Sequence, residues 1–323
     1  MGGFDRPPAI AALIEIICTD EDAELTAIAI GSLTKIGTPA ISALTAILAT
    51  PGATIQRGMA VTILAQIRHS QTIEPLIQVI DDPDPQLRTT IVEALGSFHD
   101  ARIPPLLLAK LTDVAASVRK AAVVSLSLRS DLAIELNLSQ QLRALLSDLD
   151  FAVCEATALG LSRLPDPRVV GILAEVLNSP RFPDRLKSAV ILALGWIGSV
   201  AAIDSAIAAL DKIDADLAPE IIVGISKTER ERVYASQQLV AYLYSRDLSA
   251  HPPLVKQELA AALGNLGNIA TVPALVELAN DRDERVRLHA ITARSKLEPS
   301  LTSEVCRSGN SETIARSSTI CPD

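Results

Sequence analysis

A chain of 323 residues that is 49 % hydrophobic but only 2 % aromatic must build its core from Leu, Ile, Val and Ala. Its 29 basic and 38 acidic side chains leave a net charge of −9, which excludes a general nucleic-acid binder, since that needs a cationic face and aromatic stacking platforms. Four cysteines (Cys18, Cys154, Cys306, Cys321) show no CxxC spacing, so neither a disulfide framework nor a structural zinc site is signalled.

In chain order, the first residues lack the basic segment and apolar stretch of a secretory signal, and Arg6 stands where a myristoylation motif wants Ser or Thr. A cytoplasmic protein is the expectation. The first predicted helix, Pro8 to Ile17, is apolar on nearly every face. A terminal repeat should present a polar outer face, so this helix is expected either to lack a preceding neighbour or to mediate self-association with a second copy. The longest uncharged run, Ile36 to Gln56, contains Gly37, Pro39, Pro51 and Gly52 and reads as helix and loop, with no membrane span.

From there a repeat governs the chain. Leu87 to Phe98 (LRTTIVEALGSF), Leu186 to Ile197 (LKSAVILALGWI) and Val255 to Leu266 (VKQELAAALGNL) align without gaps. Nine such segments begin at Leu25, Gln56, Leu87, Val118, Val153, Leu186, Leu217, Val255 and Val286, at intervals of 31, 31, 31, 35, 33, 31, 38 and 31 residues. Each unit reads as two helices. Helix A follows an Asp- or Pro-rich turn whose side chains cap its first amides, and it carries apolar residues at the helical period, as at Leu87, Ile91, Ala94, Leu95 and Phe98. Glycine often follows it, as at Gly198 and Gly267. Helix B opens near a proline: Pro39, Pro75, Pro104, Pro273. A lone hairpin cannot bury enough to offset the ordering of its backbone, so the units must stack.

The pattern Asp-Pro, then (Val/Leu)-Arg, then Ala-Leu-Gly-x-(Ile/Leu/Phe)-Gly and Pro-(Ala/Leu)-Leu resembles the HEAT-like repeat first associated with phycobilisome lyases. The resemblance covers roughly residues 7–298. It implies an all-α superhelix, an α-solenoid of about eight to nine helical hairpins in one domain (1–298), irregular at 214–253. The polar tail 299–323 is expected to be disordered. Members of that family include bilin-lyase chaperone subunits, phycobilisome-degradation factors, an iron-dependent hydroxylase and adaptors.

Columns of the repeat separate scaffold from candidate site. One place after each start stand Thr26, Arg57, Arg88, Arg119, Cys154, Lys187, Ala218, Lys256 and Arg287. The six cations read either as a ladder for an acidic ligand or, preferred here, as partners for aspartates of neighbouring turns, with Asp84, Asp113, Asp150 and Asp283 suitably placed. A small-residue column, including Gly96, Gly195 and Gly264, lets helices approach. The next column (Lys35, Gln66, Ser97, Leu128, Arg163, Trp196, Lys227, Asn265, Lys296) is mostly polar and is expected to face solvent. Trp196, the only Trp, is a candidate partner anchor unless a loop covers it. Tyr234, Tyr242 and Tyr244, all three tyrosines, form either a second binding patch or internal packing of a longer helix.

Catalytic signals are not found. The four histidines (His69, His99, His251, His289) include no His-Glu pair, they read as turn or surface residues, and no two stand at metal-ligand spacing. Neither a GxSxG elbow nor a Walker loop is present. The reading is therefore a non-catalytic scaffold or adaptor for an unidentified protein partner, with no catalytic, cofactor or metal residues assigned. The alternative implied by the resemblance is a bilin lyase or chaperone subunit, or an antenna assembly or degradation factor. Against it, the first repeats hold only Phe4 and Phe98 as aromatics.

Overall fold

Ten helices follow one another up to Asp166 in the computed structural model, which describes residues 7–19, 22–50, 53–213 and 216–297. They are α1 Pro7–Thr19, α2 Ala23–Ile36, α3 Ile41–Leu48, α4 Thr54–Ile67, α5 Ile73–Gln78, α6 Pro85–Gly96, α7 Ile103–Lys110, α8 Ala116–Ser127, α9 Leu138–Arg143 and α10 Phe151–Leu161. Eight more come after it: α11 Arg168–Asn178, α12 Asp184–Ile197, α13 Val200–Ala209, α14 Ala218–Ser226, α15 Arg232–Leu243, α16 Pro253–Leu266, α17 Val272–Leu278 and α18, spanning 284–297. Among the described residues there is no strand. The expected tail, with Cys306 and Cys321, lies outside them.

All nine expected A helices are present and are the even-numbered ones; the odd-numbered helices are B helices. Contacts divide the chain into two compact units, Met1–Asp166 and Pro167–Asp323, where the sequence gives no sign of a boundary. In the first, α2, α4, α6, α8 and α10 pack each against the next, with B helices bridging A helices of adjacent repeats. In the second, α12, α14 and α16 form one layer and α11, α13 and α15 another. This is an α-solenoid.

Register explains the packing. The residue five places after each start is buried in seven consecutive repeats: Val61, Val92, Val123, Ala158, Ile191, Ile222 and Ala260. In α18 the same position, Ile291, is 50 % exposed. The starting residue is buried from Leu87 through Val286, yet Leu25 in α2 is 45 % exposed. Small residues nine places along meet those seven places along the next helix. A Cβ on Gly195 would stand 2.5 Å from the Gly224 carbonyl oxygen, and one on Gly264 would stand 2.7 Å from the Ala293 Cβ.

Helix ends follow local chemistry. Asp22, Asp84, Asp150 and Asp283 accept from the first free amides of α2, α6, α10 and α18. Gly198 (φ 54°) and Gly267 (φ 75°) end α12 and α16 in the left-handed region, and Arg68 (φ 51°) does so at the matching end of α4. No single helix among the described residues is long and apolar enough to cross a membrane. In α1 only Ile10 and Ile17 are buried; Leu13, Ile14 and Ile16 are half-buried, and the open side carries Pro8, Ala11, Ala12 and Glu15.

Candidate interaction surface

The cation column forms a ladder of ion pairs between successive turns, not a ligand site. Arg57 pairs with Asp82, Arg88 with Asp113 (2.8 Å), Arg119 with Asp148 (2.6 Å) and Lys256 with Asp281 (2.5 Å). The expected partners need correction. Asp113 is as foreseen, but Asp84, Asp150 and Asp283 are occupied as helix caps, and the aspartate two residues earlier takes the cation. That earlier carboxylate also accepts the amide two residues ahead, as Asp82 does from Asp84, Asp148 from Asp150 and Asp281 from Asp283.

Arg57, Arg88 and Arg119 are tied at both ends, Arg57 reaching back to the Leu48 carbonyl. Nη1 of Arg88 donates to the carbonyls of Asp82 and Pro83, that of Arg119 to Asp113 and Val114, and that of Arg287 to Asp281 and Arg282. Cys154 stands in this column and its Sγ reaches the Asp148 carbonyl at 3.3 Å, keeping the backward bond without the forward one. Burial pushes the Cys154 thiol up. Lys187 pairs instead within its own helix, with Asp184 at 3.4 Å. The carboxylates respond to these ties. Hydrogen bonds from Arg119 hold Asp148 below its ordinary range. For Asp113 and Asp281 burial acts upward, but bonds from Arg88 and Lys256, amides and nearby charge together hold them low.

The solvent-facing column is exposed in all nine helices, and Trp196, in the last turn of α12, is 51 % exposed with no loop over it. Leu128 is the other apolar member. The three tyrosines do not form one patch. Tyr234 donates to Asp204 of α13 at 2.6 Å and Tyr244 to Glu277 of α17 at 2.8 Å, so each ties α15 to a neighbouring B helix. Tyr242 is buried, with its ring 5.2 Å from that of His251 and the Arg246 guanidinium 5.7 Å above it. Tyr242 and Tyr244 are two residues apart at a helix end, which turns them to opposite sides.

Two recesses accompany these surfaces. In the second unit a groove of about 430 Å³ runs along α12, α14 and α16, lined among others by Leu192, Glu220, Val223, Lys227, Leu254 and Glu258. Leu254 is 53 % exposed, and Lys227 holds in α14 the place that Trp196 holds in α12. Sequence reasoning missed Leu254, whose one signal is an aliphatic residue just before the start position. In the first unit a notch of about 450 Å³ lies between successive turns, where Lys110 spans Asp81 (2.6 Å) and Asp113 (3.8 Å).

The histidines depart from a surface reading at His251 and at the half-buried His289, whose Nδ1 is buried without a partner. His251 is buried; its Nε2 lies 3.0 Å from the Leu243 carbonyl and its Nδ1 has no partner. Burial pushes it down, and the charges of Arg246 and Lys256 add to this against Asp211. His99 is exposed, and His69 caps a short helical turn at Ser70–Thr72. Among the described residues no group of three or more His, Cys, Asp and Glu stands together as a metal ion would require.

The profile of the family described as HEAT repeats matches residues 53–127 and 243–305. No curated protein sequence matches significantly. Among solved structures, karyopherin Kap121p bound to the extreme C-terminus of the protein phosphatase Cdc14p is similar at 15 % identity and TM-score 0.61, over 97 % of this chain and 40 % of that one. The E. coli protein YibA is similar at 18 % identity and TM-score 0.52, over 87 % and 98 %. The CpcE–CpcF complex of phycocyanin lyase from a Nostoc species matches at 18 % identity and TM-score 0.38, over 72 % and 94 %. HEAT repeats are matched over those two stretches, and Kap121p and YibA share the α-solenoid fold.

Proposed function

We propose that the protein is a non-catalytic scaffold, working in the cytoplasm, that holds a protein partner on the A-helix surface of residues 167–297. Trp196 is the observation that carries this reading. A large ring half-exposed in a column otherwise almost wholly polar gains little from the fold and is the type of side chain that anchors interfaces. The groove adds apolar Leu192, Val223 and Leu254 flanked by Glu220, Glu258 and Lys227, a small apolar floor with a charged rim. On the B side Tyr244 is exposed and Tyr234 half-buried, whereas Tyr242 is turned into the fold.

The test pairs accessibility with binding. Acrylamide is expected to quench Trp196 fluorescence promptly in the isolated protein. Trp196→Ala and Leu254→Glu are then compared with the parent for retention of co-purifying proteins, with a loss of affinity of about 2 kcal/mol expected for the tryptophan. A retained set of partners with both variants would refute the surface. Mixing with phycocyanobilin is the second arm: an absorbance shift with red fluorescence would replace the scaffold reading by the lyase-related one.

A further inference from the structure

We infer that the groove along α12, α14 and α16 takes a cationic amphipathic segment of the partner protein, seating a Lys or Arg between Glu220 and Glu258. This rests on the surface proposed above and adds the chemistry of what lies on it. Glu220 and Glu258 each stand three places after the start of their repeat, on α14 and α16, which pack directly against one another. Both line the groove, Glu220 exposed and Glu258 half-buried. Neither carboxylate has an ion pair or hydrogen bond among the described residues.

The turn aspartates of the ladder are taken up as caps or by its cations, whereas these two glutamates are left to an outside charge. Like charges on neighbouring helices repel, and a cation placed between them relieves the repulsion and is attracted by both. Lys227 does not supply that relief. It follows Glu220 by seven residues, about 10 Å along the helix axis, and forms no ion pair among the described residues. The groove is therefore acidic towards one end of α14 and basic at the other, with Leu192, Val223 and Leu254 as its apolar lining. A segment that satisfies all of it carries Lys or Arg for the glutamates, aliphatic side chains for the lining and an oxygen acceptor for Lys227. With so small a lining, the charges set which segment is selected. An acidic segment of the same shape meets repulsion at Glu220 and Glu258, and so does an anionic membrane surface.

The test uses the full chain and three fluorescently labelled synthetic peptides of about 12 residues, one of Leu and Lys, one of Leu and Glu, one of Ser and Lys. Affinities come from anisotropy at about 0.15 M salt, where distant charges are screened. The Leu/Lys peptide is expected to bind saturably, and the other two at least about tenfold more weakly. Glu220→Gln combined with Glu258→Gln should weaken the Leu/Lys peptide by about tenfold, with helicity by circular dichroism at the parent level. Glu93→Gln combined with Glu155→Gln removes the same charge from exposed sites of α6 and α10 and should leave binding unchanged. A Leu/Glu peptide that binds equally well, a groove variant that binds like the parent, or equal losses in the two double variants would each overturn the inference. So would a parent that dimerises in sedimentation velocity while Leu254→Glu stays monomeric, because a second copy then fills the groove. Partners lost with Trp196→Ala, alongside unchanged peptide binding by the groove variant, would leave the surface standing and remove only the cation.

Discussion

Arg88 and Asp113 meet through two parallel hydrogen bonds, Nε to Oδ2 at 3.0 Å and Nη2 to Oδ1 at 2.8 Å, with both side chains nearly out of solvent. One guanidinium thus satisfies a carboxylate of the next turn and two carbonyls of its own. Removing it strands all three. Arg88→Ala is expected to cost about 3 kcal/mol in urea unfolding, because the Asp113 carboxylate stays buried without its main partner. Arg102→Ala, whose pairs with Glu74 and Asp100 lie at the surface, should cost much less. Equal losses would contradict this account of the ladder.

Acid should act on the same ties. Asp113, Asp148 and Asp281 lie below their ordinary value of 3.8 in the folded chain. Their contribution is therefore complete above that value and is lost as pH falls through the lowered folded values. Arg119→Ala should flatten this fall in stability below about pH 4, measured by urea midpoints across the range.

His251 predicts a separate window nearer neutrality. Its folded value is pushed below the ordinary 6.5, so the unfolded chain takes up the proton first. Stability should decline as pH drops from 6.5 towards the folded value, and His251→Phe should remove that slope. An unchanged slope would show that the buried imidazole is not its source.

Glycines of two kinds should respond oppositely to alanine. Gly195→Ala drives a methyl into the Gly224 backbone and is expected to cost about 2 kcal/mol or more. Gly171, in α11, has open space around its Cβ position, and Gly171→Ala should stabilise by about 0.5–1 kcal/mol. Thermal midpoints moving the same way for both would refute the close approach of α12 and α14.

Thiol labelling separates Cys18 from Cys154. Cys18 is exposed at the end of α1, whereas Cys154 is buried with a raised thiol. Iodoacetamide followed by peptide mass mapping should modify Cys18 in the native protein, and Cys154 only after unfolding.

Much of this architecture is readable from the chain, because spacing that places Leu87, Val118 and Val286 at the same helical phase leaves one arrangement that buries them. The turn aspartates are harder. In Asp-x-Asp two identical carboxylates compete for two roles, and composition alone does not say which caps and which receives the cation. A constant offset does: Asp82 to Arg88, Asp113 to Arg119, Asp148 to Cys154 and Asp281 to Arg287 are each six residues apart. His251 misleads because a loop histidine ordinarily faces water, and only the fold reveals Tyr242 beneath it. Trp196 is legible as a departure from a polar column; the groove near its helix is not, because it arises from three helices at once.

Every ion pair of the ladder and every small-residue contact spans one step of the array and no more. A stretch such as 85–115, excised whole, would bring Ala116 to Asp84 and let Arg119 stand where Arg88 stood, with Asp148 still ahead of it. The joint left behind would be chemically the same as the one removed. Length in such a protein is a free variable, open to copying or loss of entire modules without redesign of what remains.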